Sequence, residues 1–353
     1  MTRTSPRQTQ TVSSRPYGWT SDAVRSWIEF WFRPVEPVGL HVLRVLAGLL
    51  LIAWLLPLFG HLEALFGLEG WFDQQAYREA ARLPEEMRPQ FGWSILFLCG
   101  AHPLLFKATC AGSLVVLILF TLGIATRLTS IASWVVVVSF TANPALGDDA
   151  DGLLVLLAFY LMIGYVFLNQ TLSHQSTAAR LFGSREQILL FNRTSPASAF
   201  QGRPSVAANV SLRLLQVHLA MAFVASGLHK LQFGDWWAGV ALWYPLYPPL
   251  SATIQDAQTH MNHGVAMLTI LSLGAYAVLS WQIAFPVFAW KPRWRHLLLG
   301  GACVSCLGNA WLYRLPVFGA VLFIGCLSYL TPDEWHRIGD RLRAVTSAAA
   351  RRG

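Results

Sequence analysis

The sequence predicts an all-α integral membrane protein, a polytopic bundle of about eight transmembrane helices with both termini in the cytoplasm. Of its 353 residues, 54% are hydrophobic and 12% are charged, and that charged fraction is about half the average for soluble domains. Several apolar runs approach the roughly 20 residues that a spanning helix needs. Lysine and arginine are concentrated in a few loops and in both termini, as is typical of segments on the cytoplasmic side of a bilayer. The net charge of +8 therefore indicates contact with membrane lipids and no nucleic-acid partner.

The chain divides into three regions. Residues 1–37 are predicted to be a cytoplasmic segment, within which 21–36 combine aromatic residues with arginines, a pattern that favours a helix lying in the membrane interface. Residues 38–331 form the predicted transmembrane domain. Residues 332–353 are predicted to be a basic cytoplasmic tail that begins as a helix.

Eight helices are predicted in the transmembrane region. Their approximate ranges are 40–59, 104–122, 128–142, from 153 to 169, 210–230, 264–289, and two short helices within 296–331 that are hinged at 314–316. A turn is expected at 291–295, and Arg44 is expected to snorkel to the membrane surface. With both termini inside, inner segments hold nineteen Lys and Arg residues and outer segments hold five, a bias that fixes the orientation. The acidic loop 148–151 and the aromatic loop 233–263 then lie on the outer side, with Lys230.

Lys230 is the main candidate functional residue. The chain has three lysines against twenty-three arginines, so a lysine at the end of an apolar helix calls for an explanation beyond its charge. A desolvated lysine can be neutral near pH 7 and accept a proton from a weak acid such as a hydroquinone, whereas arginine cannot. Lys230 is therefore the predicted catalytic base and His229 its proton relay. The alternatives are a snorkelling interfacial lysine and a salt bridge with Asp235.

Eight further residues are predicted to line the substrate site, and no metal site is predicted. They are Gln216, His218, Asp235, Trp236, Trp237, Tyr244, Asp149 and Asp151. At 100° per residue, Gln216 falls near the stripe of Lys230, and His218 shares a neighbouring stripe with His229. Polar groups within a membrane usually face protein or a wet cavity. The alternative for Gln216 and His218 is a structural hydrogen bond between helices. For the acidic loop it is capping of the fourth helix, and for the aromatic residues it is a belt at the membrane interface.

Several short motifs carry a family resemblance over about residues 36–335. They are Leu43-Arg44, the turn from Gly67 to Gly70, Leu122-Gly123-x-x-Thr126-Arg127, Asn143-Pro144 before Asp151-Gly152-Leu153-Leu154, and Ser226-Gly227-Leu228-His229-Lys230-Leu231 with Asp235-Trp236 and Gly239. The chain resembles the horizontally transferred transmembrane (HTTM) domain, the membrane part of vitamin K-dependent gamma-glutamyl carboxylases. The resemblance implies that Lys230 occupies the position of the lysine thought to deprotonate vitamin K hydroquinone.

The same resemblance implies a function, a cofactor and a location. It predicts a carboxylase-like or quinol-dependent membrane enzyme that uses a reduced quinone and binds a quinone-like or lipid substrate in an outward-facing cavity. Similarity to stand-alone bacterial members implies a multi-pass protein of the bacterial inner membrane, surrounded by membrane lipids.

Departures from the family favour an alternative function. The outer loop before the fourth helix is acidic and lacks the family's Asn-His pair, and a histidine typical of the late helix is absent near 305–309. We expect no large outer domain within the residues after 331, which are few and basic. The alternative is a non-catalytic membrane module that binds a lipid or a partner protein, of unknown identity, in peptide maturation or a stress response.

Overall fold

The protein is helical throughout the part of the chain that the structure describes. A computed structural model describes residues 18–67, 70–84, 93–99, 102–168, 203–246 and 264–350. Within these ranges no β-strand is present, and an isolated bridge joins Val35 to Ser205. The all-α prediction is therefore confirmed for the described residues.

The helices are numbered here in chain order. They are α1 (Gly18–Phe32), α2 (Val38–Leu55), α3 (Leu62–Phe66), α4 (Gln74–Arg82), α5 (Ile95–Cys99), α6 (Pro103–Leu122), α7 (Thr126–Thr141), α8 (Asp151–Phe167), α9 (Val206–Lys230), α10 (Gly234–Trp237), α11 (Trp243–Leu246), α12 (Gly264–Phe288), α13 (Pro292–Trp311), α14 (Pro316–Cys326) and α15 (Pro332–Ala350). Short 3-10 turns at Leu56–Gly60, Pro144–Leu146 and Leu327–Tyr329 complete the regular structure of the described residues.

Four of the described helices are long and apolar enough to cross a membrane. They are α2 with its 3-10 extension, α6, α9 and α12, and a fifth span is possible if α14 and α15, bent by 112°, count as one. The eight predicted spans exceed this number for two reasons. The helices α7 and α8 have 16 and 17 residues, and α13 carries Arg293 and Arg295 in its first turn, so length and composition alone do not identify them as spans.

Most predicted helices lie close to the observed ones, and three details differ. The helix α1 begins and ends three or four residues before the predicted range 21–36. The turn predicted at 291–295 lies earlier, at 289–291, because α13 already begins at Pro292, a residue suited to the first helical position. The short helices α3, α4 and α5 were not predicted. The prediction of two helices within 296–331 is confirmed. Predictions for residues 1–17, for most of loop 170–208, and for 247–263 lie outside the described residues.

The helix α2 lies at the centre of the main core. Its buried leucines and alanine recur every three or four residues, which places them on one face. That face packs against α6, α8 and α14. Small residues allow the closest approaches: a Cβ at Gly48 would collide with Thr121 of α6, and one at Gly164 would lie 2.8 Å from the Ser211 hydroxyl of α9.

A second core cluster joins α9 to the C-terminal helices. Phe223 of α9 packs on Phe285 of α12 with ring centroids 4.9 Å apart, and Phe285 packs on Tyr329 at 5.2 Å. The helix α9 therefore contributes residues to both clusters, and its 25 residues separate its two ends by roughly 36 Å.

Candidate functional site

Lys230 is the last residue of α9 and is half-buried. Its Nζ donates a hydrogen bond of 2.6 Å to the hydroxyl of Ser226, one helical turn earlier, and lies 5.4 Å from the ring centroid of Trp236. Among the described residues no carboxylate lies within ion-pair distance of this ammonium, and Asp235 is exposed to solvent. The alternative of a Lys230–Asp235 salt bridge is therefore not what the structure contains.

The segment after Lys230 folds back onto α12. The indole Nε1 of Trp237 donates to the carbonyl of Leu231 at 2.7 Å, and the hydroxyl of Tyr276 donates to the carbonyl of Trp237 at 2.7 Å. Gly239 has φ +72°, and a Cβ there would lie 2.8 Å from the side chain of Ser272. This turn holds Trp236 beside the Lys230 ammonium.

His229 and the other aromatic residues lie away from the Lys230 ammonium. The imidazole of His229 is exposed and packs edge-on against Phe233, with ring centroids 4.9 Å apart. Trp237 and Tyr244 are also exposed, at 63% and 46%. The structure therefore brings Lys230, Ser226 and Trp236 together, and it does not bring His229 into contact with Lys230.

Gln216 lies much nearer the start of α9. It is 14 positions from Lys230, which corresponds to about 21 Å along a helix. Its Nε2 donates to the carbonyl of Ser328 at 2.6 Å, and its Oε1 accepts from Arg213 at 3.0 Å. These contacts join α9 to the turn after α14, as expected for the structural alternative.

His218 is also remote from Lys230, about 18 Å along the helix. Its Nδ1 shares a hydrogen bond of 3.1 Å with the hydroxyl of Tyr160 of α8. The two side chains line a cavity of about 10 Å³ between α8, α9 and α14, which has room for one water molecule at most. A separate cavity of about 460 Å³ lies between α3 and α6, beside Glu63 and Lys107.

The acidic loop fastens the start of α8. The Asp148 amide donates to Oδ2 of Asp151 at 3.1 Å, and the Ala150 amide donates to Oδ1 of Asp148 at 3.0 Å. These bonds order the loop that precedes α8, whereas Ala150, the residue just before the helix, makes no side-chain cap. Asp149 is exposed. Gly164 of α8 lies beside Ser211 of α9, and Tyr160 contacts His218, so the two helices run antiparallel. The loop and Lys230 therefore lie at the same end of the bundle, but no ion pair connects them among the described residues.

Arg44 is a residue that sequence reasoning misjudged. It was expected to snorkel, but it is fully buried, and its guanidinium lies against Gly123 at the end of α6. Its Cζ lies 5.5 Å from the ring centroid of Tyr165. Asn143 is likewise fully buried and donates from Nδ2 to the carbonyl of Leu65 at 2.9 Å. Both residues belong to short motifs of the family resemblance, and this was the signal in the sequence that could have marked them. Spacing along the chain does not show which motifs come into contact in the fold.

The site has few features that identify a cofactor. Within the described ranges no three His, Cys, Asp or Glu side chains come close enough together to hold a metal ion. The half-buried amine of Lys230, the hydroxyl of Ser226 and the face of Trp236 suit an organic molecule with an acidic hydroxyl and a flat ring. No protein-family model, no curated protein and no solved structure matches this chain.

Proposed function

We propose that the chain is a multi-pass membrane enzyme that binds a quinone-like or lipid substrate at the Lys230 end of the bundle and uses Lys230 as a base. One observation carries this proposal: Lys230 is half-buried, and the hydrogen-bond partner of its Nζ is the neutral hydroxyl of Ser226. A lysine held by a carboxylate must break an ion pair before it can act as a base, and Lys230 has no such pair among the described residues.

The proposed step is a single proton transfer. A hydroquinone hydroxyl gives its proton to the neutral amine of Lys230, which leaves a hydroquinone anion and an ammonium. Ser226 accepts a hydrogen bond from that ammonium, and the face of Trp236 attracts it through a cation–π contact. Both contacts favour the protonated amine, so they stabilise the product of the step, while burial of Lys230 favours the neutral amine with which the step begins. The exposed rings of Trp237 and Tyr244 belong to the segment that follows Lys230 and offer further flat surfaces.

The family and the topology belong to the same proposal. The chain is proposed to be a stand-alone HTTM-like protein of the bacterial inner membrane, with eight spans and both termini inside. Two contacts support this: Arg44 against Gly123, and Asn143 bonded to Leu65 just before Gly67. Each brings together two segments on which the resemblance rests. Arg127 bonds to the end of α8, and Arg213 lies over Trp290, just before α13, so basic residues near the starts of α7, α9 and α13 lie at the end opposite Lys230. The positive-inside rule expects such clustering for the proposed topology.

One observation favours the non-catalytic alternative. The imidazole of His229 faces Phe233 and has no contact with Lys230, so the proposed base lacks the histidine relay that the sequence suggested. A module that only binds lipid or a partner protein would need no relay.

The proposal is tested with the purified full chain in lipid nanodiscs. Reduced menadione is added without oxygen, its binding is followed by tryptophan fluorescence, and formation of the quinol anion is followed by ultraviolet absorbance. We expect Lys230→Arg to bind the quinol and form no anion, because arginine stays protonated. Lys291→Arg is the matched control, since Lys291 is an exposed lysine at the other end of the bundle.

The outcomes separate the two functions. Binding without anion formation by the wild-type chain would support the non-catalytic module. Absence of quinol binding, or anion formation by Lys230→Arg equal to that of the wild type, would refute the proposed role of Lys230. Mass spectrometry of small molecules retained during purification gives an independent check, and a bound quinone would support the enzyme.

A further inference from the structure

A basic and aromatic site lies at the end of the bundle opposite Lys230, where α1 packs on α9. We call it the Arg213 site, and it comprises Phe30, Trp31, Arg33, Arg213 and Trp290. The Cζ atom of Arg213 lies 4.4 Å from the ring centroid of Phe30 and 5.3 Å from that of Trp290. The guanidinium is thus held between two rings, about 26 Å along α9 from Lys230.

The Arg213 site keeps a positive charge that no described carboxylate neutralises. No Asp or Glu of the described residues forms an ion pair with Arg213, and Arg33 and Arg295 lie close enough to add to the positive potential there. Arg295 has its own counter-ion, because its Nη1 lies 2.7 Å from the carboxylate of Glu334. Arg33 is exposed. The unneutralised charge attracts an anion.

Two buried donors of the Arg213 site find no acceptor among the described residues. They are Nε of Arg213 and Nε1 of Trp31. Trp31 is fixed to α9, because Asn209 donates from Nδ2 to the carbonyls of Phe30 and Trp31 at 2.9 Å each. Buried donors in native proteins almost always find acceptors. A phosphate group supplies several acceptor oxygens together with the negative charge.

The exposed face of α1 indicates that the phosphate is part of a lipid. Four large apolar side chains on this helix are more than half exposed: Val24, Trp27, Ile28 and Phe32. Such a helix lies in the membrane interface, with its apolar face toward acyl chains. Free phosphate would leave this face uncovered, whereas a phospholipid covers it with the same molecule that reaches Arg213.

From this geometry we propose that the Arg213 site binds the phosphate of an anionic phospholipid, whose acyl chains pack on the apolar face of α1. The inference rests on the membrane location in the proposed function and is independent of the role of Lys230. Arginine between aromatic rings forms charge-assisted hydrogen bonds to phosphate, and Trp31 adds a neutral donor.

The test measures lipid preference by native mass spectrometry. The delipidated full chain is mixed with equal amounts of dioctanoyl phosphatidylglycerol and dioctanoyl phosphatidylcholine, and the bound lipids are counted. We expect wild type to bind more phosphatidylglycerol than phosphatidylcholine. In Arg213→Met the ratio of bound phosphatidylglycerol to bound phosphatidylcholine should fall about tenfold, because methionine keeps the packing and removes the charge. Trp31→Phe should weaken it by a smaller factor.

Arg203→Met is the matched control, because Arg203 is an exposed arginine of the same charge that lies three residues before α9. An equal loss in Arg203→Met would show a diffuse surface effect and overturn the proposal. Equal binding of the two lipids by wild type would also overturn it, even if Arg213→Met fails to fold. Full competition by inorganic phosphate at similar concentrations would assign the site to free phosphate and reject a lipid. Lys230→Ala should keep the lipid preference, so failure here and failure of the quinol proposal are distinguishable.

Discussion

Gly123→Ala is expected to be among the most costly single-methyl additions in this protein. Gly123 ends α6 with φ +80° and ψ 26°, a left-handed conformation that costs an L residue about 1–2 kcal/mol. The added Cβ would also lie 2.6 Å from Nη1 and 2.8 Å from Cζ of Arg44. Because Arg44 is fully buried, its guanidinium has little room to shift, and overpacking of this kind costs about 1–3 kcal/mol. The two contributions together destabilise the fold by about 2–5 kcal/mol.

The assay is unfolding in mixed micelles of increasing dodecyl sulfate content, followed by tryptophan fluorescence. Gly112→Ala is the matched control, because Gly112 lies in the same helix and a Cβ there meets no atom within 4 Å. Alanine in a helix interior should stabilise this variant by about 0.5–1 kcal/mol. Unfolding of Gly123→Ala at the wild-type midpoint would refute the reasoning.

A double-mutant cycle divides the cost of Gly123→Ala into its two parts. In the Arg44→Ala background the steric conflict is gone and only the left-handed conformation remains, so the added cost of Gly123→Ala should fall to about 1–2 kcal/mol. An equal cost of Gly123→Ala in the wild-type and Arg44→Ala backgrounds would show that the Arg44 side chain can shift without loss of stability.

Three further predictions concern helix contacts. Gly48→Ala should force α2 from α6 at Thr121 and destabilise the fold by about 1–3 kcal/mol, measured by the same micelle unfolding. Gln216→Ala should destabilise the fold by about 1–3 kcal/mol, because the buried carbonyl of Ser328 loses its hydrogen-bond donor. Quinol binding should be unchanged. Loss of quinol binding in a folded variant would show that Gln216 belongs to the substrate site. Burial would raise the pKa of Glu334, but hydrogen bonds at the start of α15 and the Arg295 ion pair outweigh it and hold the pKa below 4.5. Because the folded pKa is the lower one, this stabilisation is present above pH 4.5 and is lost as pH falls through the folded value, and Glu334→Gln should unfold with a flatter pH profile.

The helices could be predicted from sequence because apolar runs and flanking turn residues report local structure. The predicted range 104–122 and the observed Pro103–Leu122 differ by one residue at the start. Charged residues within helices were harder, since their surroundings come from distant parts of the chain. Arg44 is buried because Gly123, far away in sequence, leaves space for its guanidinium.

The candidate site was predicted only in part, because the angle between two residues around a helix does not give their separation along the helix axis. Gln216 and Lys230 fall near one stripe of α9, yet 14 positions separate them and they occupy different levels of the bundle. His229 is next to Lys230 in sequence, and the 100° rotation between neighbouring residues turns its ring toward Phe233. Ser226 lies one turn before Lys230, the spacing at which helix side chains meet.

The helix α9 carries the Arg213 site near one end and Lys230 at the other, on one unbroken rod of 25 residues. Over the roughly 26 Å between these residues, a tilt of about 10° displaces one end by about 4–5 Å relative to the other. Asn209 clamps the end of α1 to this rod through two hydrogen bonds. The helix α1 and the Lys230 amine are thus attached to the same helix, so a shift of α1 that tilts α9 is expected to move Lys230 as well.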